Sequence, residues 1–267
     1  MKPSLIIFFL ITGFTLHPAS DYIIQDISDS TITNSPDTSN AIENLSDTLD
    51  TDIPEGLTAE EVIDNYIEAI GGEDKLYNIV DRTTIMRGSV QGVNVIIVSY
   101  QKAPNKIKQE IKAGTTDQEI IFNGETGVMI MGGKETEITG TELEKLKYEA
   151  TIALLPELEH YGITLSFEGI KIVDSVDAYE VIMTLPSGIK WTQYYNTETH
   201  LKLKESKYIK TPTGLFEQEI WYDDYTEVEG IKYPFKIRQK IGSQSMEFTV
   251  SSIKVNTGVA DREFEIK

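Results

Sequence analysis

The 267 residues carry 43 acidic side chains against 24 basic ones, a net charge of −19, and no cysteine. Without cysteine there is no thiol catalysis, no thiolate metal site and no disulfide bracing. The charge has the wrong sign for nucleic acid or an anionic lipid surface, since both are held by Lys and Arg that neutralise phosphates.

The chain opens MKPSLIIFFLITGFTLHPAS. Lys2, an apolar run over 5–16 and the small residues Ala19 and Ser20 follow the order of a secretory signal. The run is shorter than the about 20 apolar residues that span a bilayer. A signal peptide over 1–20 is therefore expected, with an uncleaved anchor as the alternative and a periplasmic or secreted destination. Lipoprotein processing needs a cysteine at the cut and is excluded. Residues 21–56 hold nine acidic side chains and no basic one. Such a segment repels itself and buries too little apolar surface to offset its ordering entropy, so it reads as a disordered acidic tether. Lys2 contributes +1 and the tether −9, which leaves −11 for residues 57–267. That stretch has no obvious linker and is long enough for one domain with a sizeable core.

A helix is predicted over 58–70. Thr58 and Glu61 make a capping box, Val62, Ile63, Tyr66, Ile67 and Ile70 form one apolar face, and Gly71-Gly72 ends it. Strands are then predicted over 83–90, 93–102, 106–112, 118–123, 127–131 and 135–138. Gln91-Gly92, Pro104-Asn105 and Asn123-Gly124 mark turns between them. A second helix is predicted over 141–154, capped by Thr141 with Glu144 and striped by Leu143, Leu146, Ala150, Ala153 and Leu154. Strands resume over 164–173, 178–185, 190–196, 201–209, 215–225, 231–241 and 245–255, with a further one at 263–266. About 11–12 strands against two helices make a mainly β, α+β fold, a large curved antiparallel sheet with the helices on one side.

No pattern assembles a catalytic centre. His160 and His200, beyond the signal, have no metal-ligand spacing. There is no GxSxG elbow and no phosphate loop, and Met131-Gly132-Gly133-Lys134 reads as a hairpin turn. Asp223, Asp224, Glu227 and Glu229 read as a solvated turn rather than a calcium site. No cofactor and no metal are implied. The apolar and aromatic residues carry more information: Met129 and Met131 in one strand, Trp191 and Tyr195 in another, Trp221 in a third and Phe235 in a fourth. Such residues make an ordinary sheet core or, where the helices leave a concavity, line it, and Ile63, Tyr66, Ile67, Leu146 and Ala150 are the expected inner faces of the two lids. An apolar pocket of that kind binds acyl chains at about 0.8 kcal/mol per buried methylene.

In order along the chain come the opening helix ending in Gly-Gly, Pro104-x-Lys106, and the turn Asn123-Gly124-x-x-Gly127. They are followed by a Gly169-to-Val181 stretch containing Asp177-Ala178-Tyr179, and by Tyr195-x-x-x-Thr199-x-Leu201. Taken in that order, residues 57–267 resemble the outer-membrane lipoprotein-sorting, LolA-like proteins, in particular the stand-alone versions of Bacteroidetes-type bacteria. The resemblance implies an unclosed half-barrel with helices as a lid over an apolar cavity, and a lipid or an acylated protein as partner. The long acidic tether and the negative charge depart from dedicated carriers. Three readings stay open: a non-catalytic module for a hydrophobic ligand, an accessory module of the cell envelope that recruits a protein partner such as a protease, and a carboxylate-based hydrolase. A monomer is expected.

Overall fold

The computed structural model describes residues 54–211 and 214–267. The expected signal, nearly all of the expected tether and residues 212 and 213 lie outside the described residues.

Helix α1 (Ala59–Ile70) begins as the sequence dictates. The Thr58 hydroxyl accepts from the Glu61 backbone N–H at 3.1 Å, and the Glu61 carboxylate accepts from the Thr58 N–H at 2.9 Å. Gly71 closes it at φ 139°, and a short helix α2 (Glu73–Tyr77) follows. Five residues are too few to show a helical period, so α2 is not legible from pattern alone.

The strands then run in two series. β1 (Asp81–Val90), β2 (Val93–Lys102), β3 (Lys106–Ala113), β4 (Thr116–Phe122), β5 (Gly127–Met131) and β6 (Lys134–Ile138) form a meander. After α3 (Gly140–Ala150) come β7 (Thr164–Val173), β8 (Val176–Thr184), β9 (Lys190–Asn196), β10 (Lys202–Thr211), β11 (Gly214–Val228), β12 (Ile231–Ile241) and β13 (Gln244–Val255). All thirteen join one antiparallel sheet in the order β6-β5-β4-β3-β2-β1-β13-β12-β11-β10-β9-β8-β7. The sheet is unclosed, and its edges β6 and β7 are consecutive strands, so the span between them has to bridge the opening. The two series meet where β1 pairs with β13, Arg82 opposite Val255 and Gly88 opposite Phe248.

Two expectations are corrected. Residues 263–266 are not a strand: Asp261–Phe264 form a 3₁₀ turn that buries Phe264. The second helix does not start on a Thr141–Glu144 capping box, nor reach 154. Its N-cap is Thr139, and Glu144 instead accepts from the Ser187 backbone N–H at 3.2 Å, a contact across the fold that takes the place of the local one.

Three clusters make the core. Under α1, Ile63, Tyr66 and Ile67 pack on Val181, Met183, Trp191 and Tyr195. In mid-sheet, Met86, Ile97, Ile111, Ile241 and Phe248 pack together. Under α3, Leu146 and Ala150 meet Ile107, Ile120, Phe122 and Met129. Each fully buried large apolar side chain stabilises by about 1.5–3 kcal/mol.

Candidate ligand site on the concave face

α1 lies against β7, β8 and β12, whereas α3 lies against β3 and β4. Between them the inner face of the sheet is left partly unfilled. A cavity of 380 Å³ is bounded by β1–β3, β8–β13 and the segment Tyr148 to Leu155 that leaves α3. A further 240 Å³ continues it toward α1, sharing Arg82, Lys202, Tyr222 and Tyr233. Sites for small ligands occupy roughly 300–1,000 Å³. A wider furrow between α1 and residues 155–165 lies at the surface, with Glu60, Asp64, Glu68 and Glu73 along it.

The cavity wall is not purely apolar. Met86, Ile107, Ile220, Ile237, Val250 and Ile253 supply one part of it. Across from them stands a group of charges held on β10. A register shift between Lys202 and Lys204 lets Lys202 line the cavity with Glu205 and Lys207, which alternate inward along the strand. Lys207 Nζ lies 2.7 Å from the Glu149 carboxylate at the end of α3 and 3.5 Å from that of Glu205, and Lys202 Nζ lies 3.2 Å from Glu205. Lys207 is also 5.0 Å from the Trp191 ring centre and Lys202 4.8 Å from that of Tyr222.

Lys207 is thus shared between two carboxylates, while Glu205 has a second ion pair, to Lys202, and Glu149 has none among the described residues. Burial pushes the Glu149 carboxyl up to about 7, against the pull of Lys207. Burial also acts to raise Glu205, but Lys202 and Lys207 together hold it below the usual carboxylate range. Lys207 is held above its ordinary value, because Glu149 and Glu205 outweigh its burial. On the far side, Arg82 donates through Nε to the Gln101 amide oxygen at 3.0 Å, and Gln101 donates to the Glu149 backbone carbonyl at 3.2 Å.

Of the expected lining residues, Trp191 borders the cavity directly. Tyr195 is fully buried beside it, its ring 5.1 Å from that of Tyr66, and Met129 is in the core under α3. Phe235 is half-buried between two core clusters. Met131 is 45% exposed at the end of β5 and is no part of the wall. Trp221 is placed on the opposite face of the sheet, between Lys204 and Arg238, because its neighbours Ile220 and Tyr222 take the inner positions. Ile63, Tyr66, Ile67, Leu146 and Ala150 are all buried inner faces of α1 and α3.

The charged cluster itself is missing from the expected lining. One sequence signal pointed to it: six glutamines, Gln101, Gln109, Gln118, Gln193, Gln218 and Gln239, sit in six strands among apolar inward positions, and all six are buried. A polar belt at the inward phase of neighbouring strands marks a wall that is not merely core.

No protein-family model matches this sequence, and no curated protein matches it. Solved structures do. A DUF1329 family protein from Desulfovibrio piger is 14% identical, with a TM-score of 0.53 over 78% of this chain and 97% of that one. A LolA superfamily protein from Nitrosomonas europaea is 13% identical, with a TM-score of 0.53 over 79% and 98%. A domain described as an outer membrane lipoprotein-sorting protein, from Vibrio parahaemolyticus, is 11% identical, with a TM-score of 0.51 over 77% and 95%. This chain shares the fold of these three structures, an unclosed antiparallel half-barrel with helices across its concave face.

Proposed function

We propose that this chain is an exported, non-catalytic module that binds a hydrophobic ligand, a lipid or the acyl chains of a lipoprotein, in the cavity between the sheet and residues 148–155. The observation that carries this reading is the unfilled 380 Å³ space on the inner face of the half-barrel, one side of it walled by apolar side chains. The LolA-like fold supports it, since the lipoprotein-sorting domain it resembles is built on the same frame. The bound chain gains about 0.8 kcal/mol per methylene removed from water.

Native mass spectrometry of the protein purified from its own cells tests this, with lipid extraction of what co-purifies. A bound fatty acid, phospholipid or acylated peptide is the expected result. Protein that arrives empty and takes up no fluorescent fatty acid in vitro overturns it.

A second reading, an envelope accessory module that recruits a protein, draws on one specific feature. Tyr66, Tyr195 and their neighbours pack together beneath α1, and the furrow beside α1 carries an acidic row. Pull-down of a basic partner by the empty protein would favour it.

A further inference from the structure

In a chain of net charge −19, the cavity has the opposite sign. Arg82, Lys202 and Lys207 face two carboxylates, Glu149 and Glu205. Arg82 has no carboxylate partner among the described residues: it bonds to Gln101 and lies 5.3 Å from the Tyr233 ring centre. Three buried polar atoms of the wall, Trp191 Nε1, Tyr233 Oη and Glu149 Oε2, have no hydrogen-bond partner among the described residues. Buried polar groups are nearly always paired, so these three atoms are open to a partner such as water or the polar head of a ligand.

We propose that the cavity binds a single-chain amphiphile headed by a carboxylate, a fatty-acid-like monoanion. Its head lies among Arg82, Lys207 and the unpaired Trp191 Nε1–H and Tyr233 O–H, while Glu149 takes a proton from solvent. This rests on the hydrophobic-ligand reading above and names the ligand class. With both protein carboxylates ionised the lining has one excess positive charge, and with Glu149 protonated it has two, so a monoanionic head lowers the excess in either state. A neutral or cationic head leaves Arg82 uncompensated. The tail faces the wall of Met86, Ile220, Ile237, Val250 and Ile253.

Proton uptake follows from crowding at Lys207, where a ligand carboxylate would share the ammonium's three N–H donors with Glu149 and Glu205, already 2.7 and 3.5 Å from it. The groups around Glu149 are Lys207 and Glu205 on β10, Lys145 on its own helix, Gln101 on β2 and Tyr222 on β11. A ligand carboxylate beside Lys207 adds like charge next to Glu149 and withdraws its counter-charge. Both effects favour the protonated form, and burial already holds that carboxyl near neutrality.

Calorimetric titration of the full chain with dodecanoate, dodecan-1-ol and dodecyltrimethylammonium separates head from tail. Dodecanoate is expected to bind at least about tenfold more tightly than the alcohol, and the cation more weakly than both. Between pH 7 and 8.5 dodecanoate affinity is expected to fall about tenfold, with heats that depend on the buffer's ionisation enthalpy. Glu149→Gln should abolish that dependence, and Arg82→Gln should weaken dodecanoate about tenfold while leaving the alcohol unaffected. Equal affinity for acid and alcohol overturns the carboxylate assignment and leaves the hydrophobic-ligand reading standing. Tighter binding of dodecyl phosphate than of dodecanoate also overturns it. Failure of all the probes to bind removes both readings. Should Arg82→Gln not fold by circular dichroism, the comparison of heads on the natural chain still decides.

Discussion

Lys207 Nζ lies 2.7 Å from the carboxylate of Glu149, and this contact ties the inner face of β10 to the end of the helix that bridges the two sheet edges. The lysine side chain is 3% exposed and the glutamate 13%. Ions so placed give up their hydration, and the pair persists because each compensates the other. The same contact positions residues 148–155 over the cavity, so what holds the lid also forms part of the wall.

Removing the lysine alone should therefore be severe. Lys207→Met leaves Glu149 without its cation and Glu205 with only Lys202. A loss of about 3–5 kcal/mol in urea unfolding is expected. The double variant Lys207→Met with Glu149→Gln should recover a large part of it, because no uncompensated ion then remains at the end of α3. Additive losses would show that the two side chains do not interact.

Stability should decline between mildly acidic and neutral pH. Burial raises Glu149 from 4.5 to about 7 in the folded state. Over that window the folded protein keeps a proton that the unfolded chain gives up, so stability falls as pH rises, by about 3 kcal/mol in all, and levels off above it. Glu205 acts in the opposite sense. Its folded value is lowered, so its contribution is complete above the ordinary carboxylate range and is lost as pH falls through it. Urea melts at pH 5 and pH 7.5 measure the first effect, and Glu149→Gln should flatten it.

The two tryptophans should behave differently. Trp221 is stacked by Arg238 at 4.5 Å and Lys204 at 4.9 Å on the outer face. Trp221→Ala should cost roughly 1–2 kcal/mol of stability and leave ligand affinity unchanged. Trp191→Phe keeps the ring near Lys207 but removes the unpaired N–H, and should weaken a carboxylate ligand several-fold, about 1 kcal/mol. Equal effects on binding would contradict the two faces assigned here.

Gly71 should tolerate no side chain. It sits at φ 139°, and a Cβ there would lie 2.4 Å from the Gly230 carbonyl oxygen in the β11–β12 turn. Lys75 reaches the same carbonyl at 3.0 Å. Gly71→Ala should cost about 2–3 kcal/mol by backbone strain and displacement of α1 from the sheet, read as a lowered melting temperature.

Much of the local structure was legible in the residues. The 93–102, 127–131, 164–173, 190–196 and 231–241 strands appear with the bounds that composition and turn signals predicted, and the Thr58–Glu61 cap forms as its spacing requires. These features depend on neighbours a few residues apart, so a one-dimensional pattern contains them. Thr141 and Glu144 had the same spacing and failed, because the Ser187 N–H, 43 residues from Glu144, takes the carboxylate instead.

The sequence by itself determined that the chain is a β-rich antiparallel protein with amphipathic helices, and that its residues include no cysteine. Only the tertiary structure decided that β1 pairs with β13, that Trp191 faces inward while Trp221 faces outward, and that Glu149 meets Lys207 across 58 residues. Alternation along a strand separates two faces, but it does not say which one the sheet curls around. That depends on pairing and curvature set by distant parts of the chain, and with them comes the sign of the charge inside.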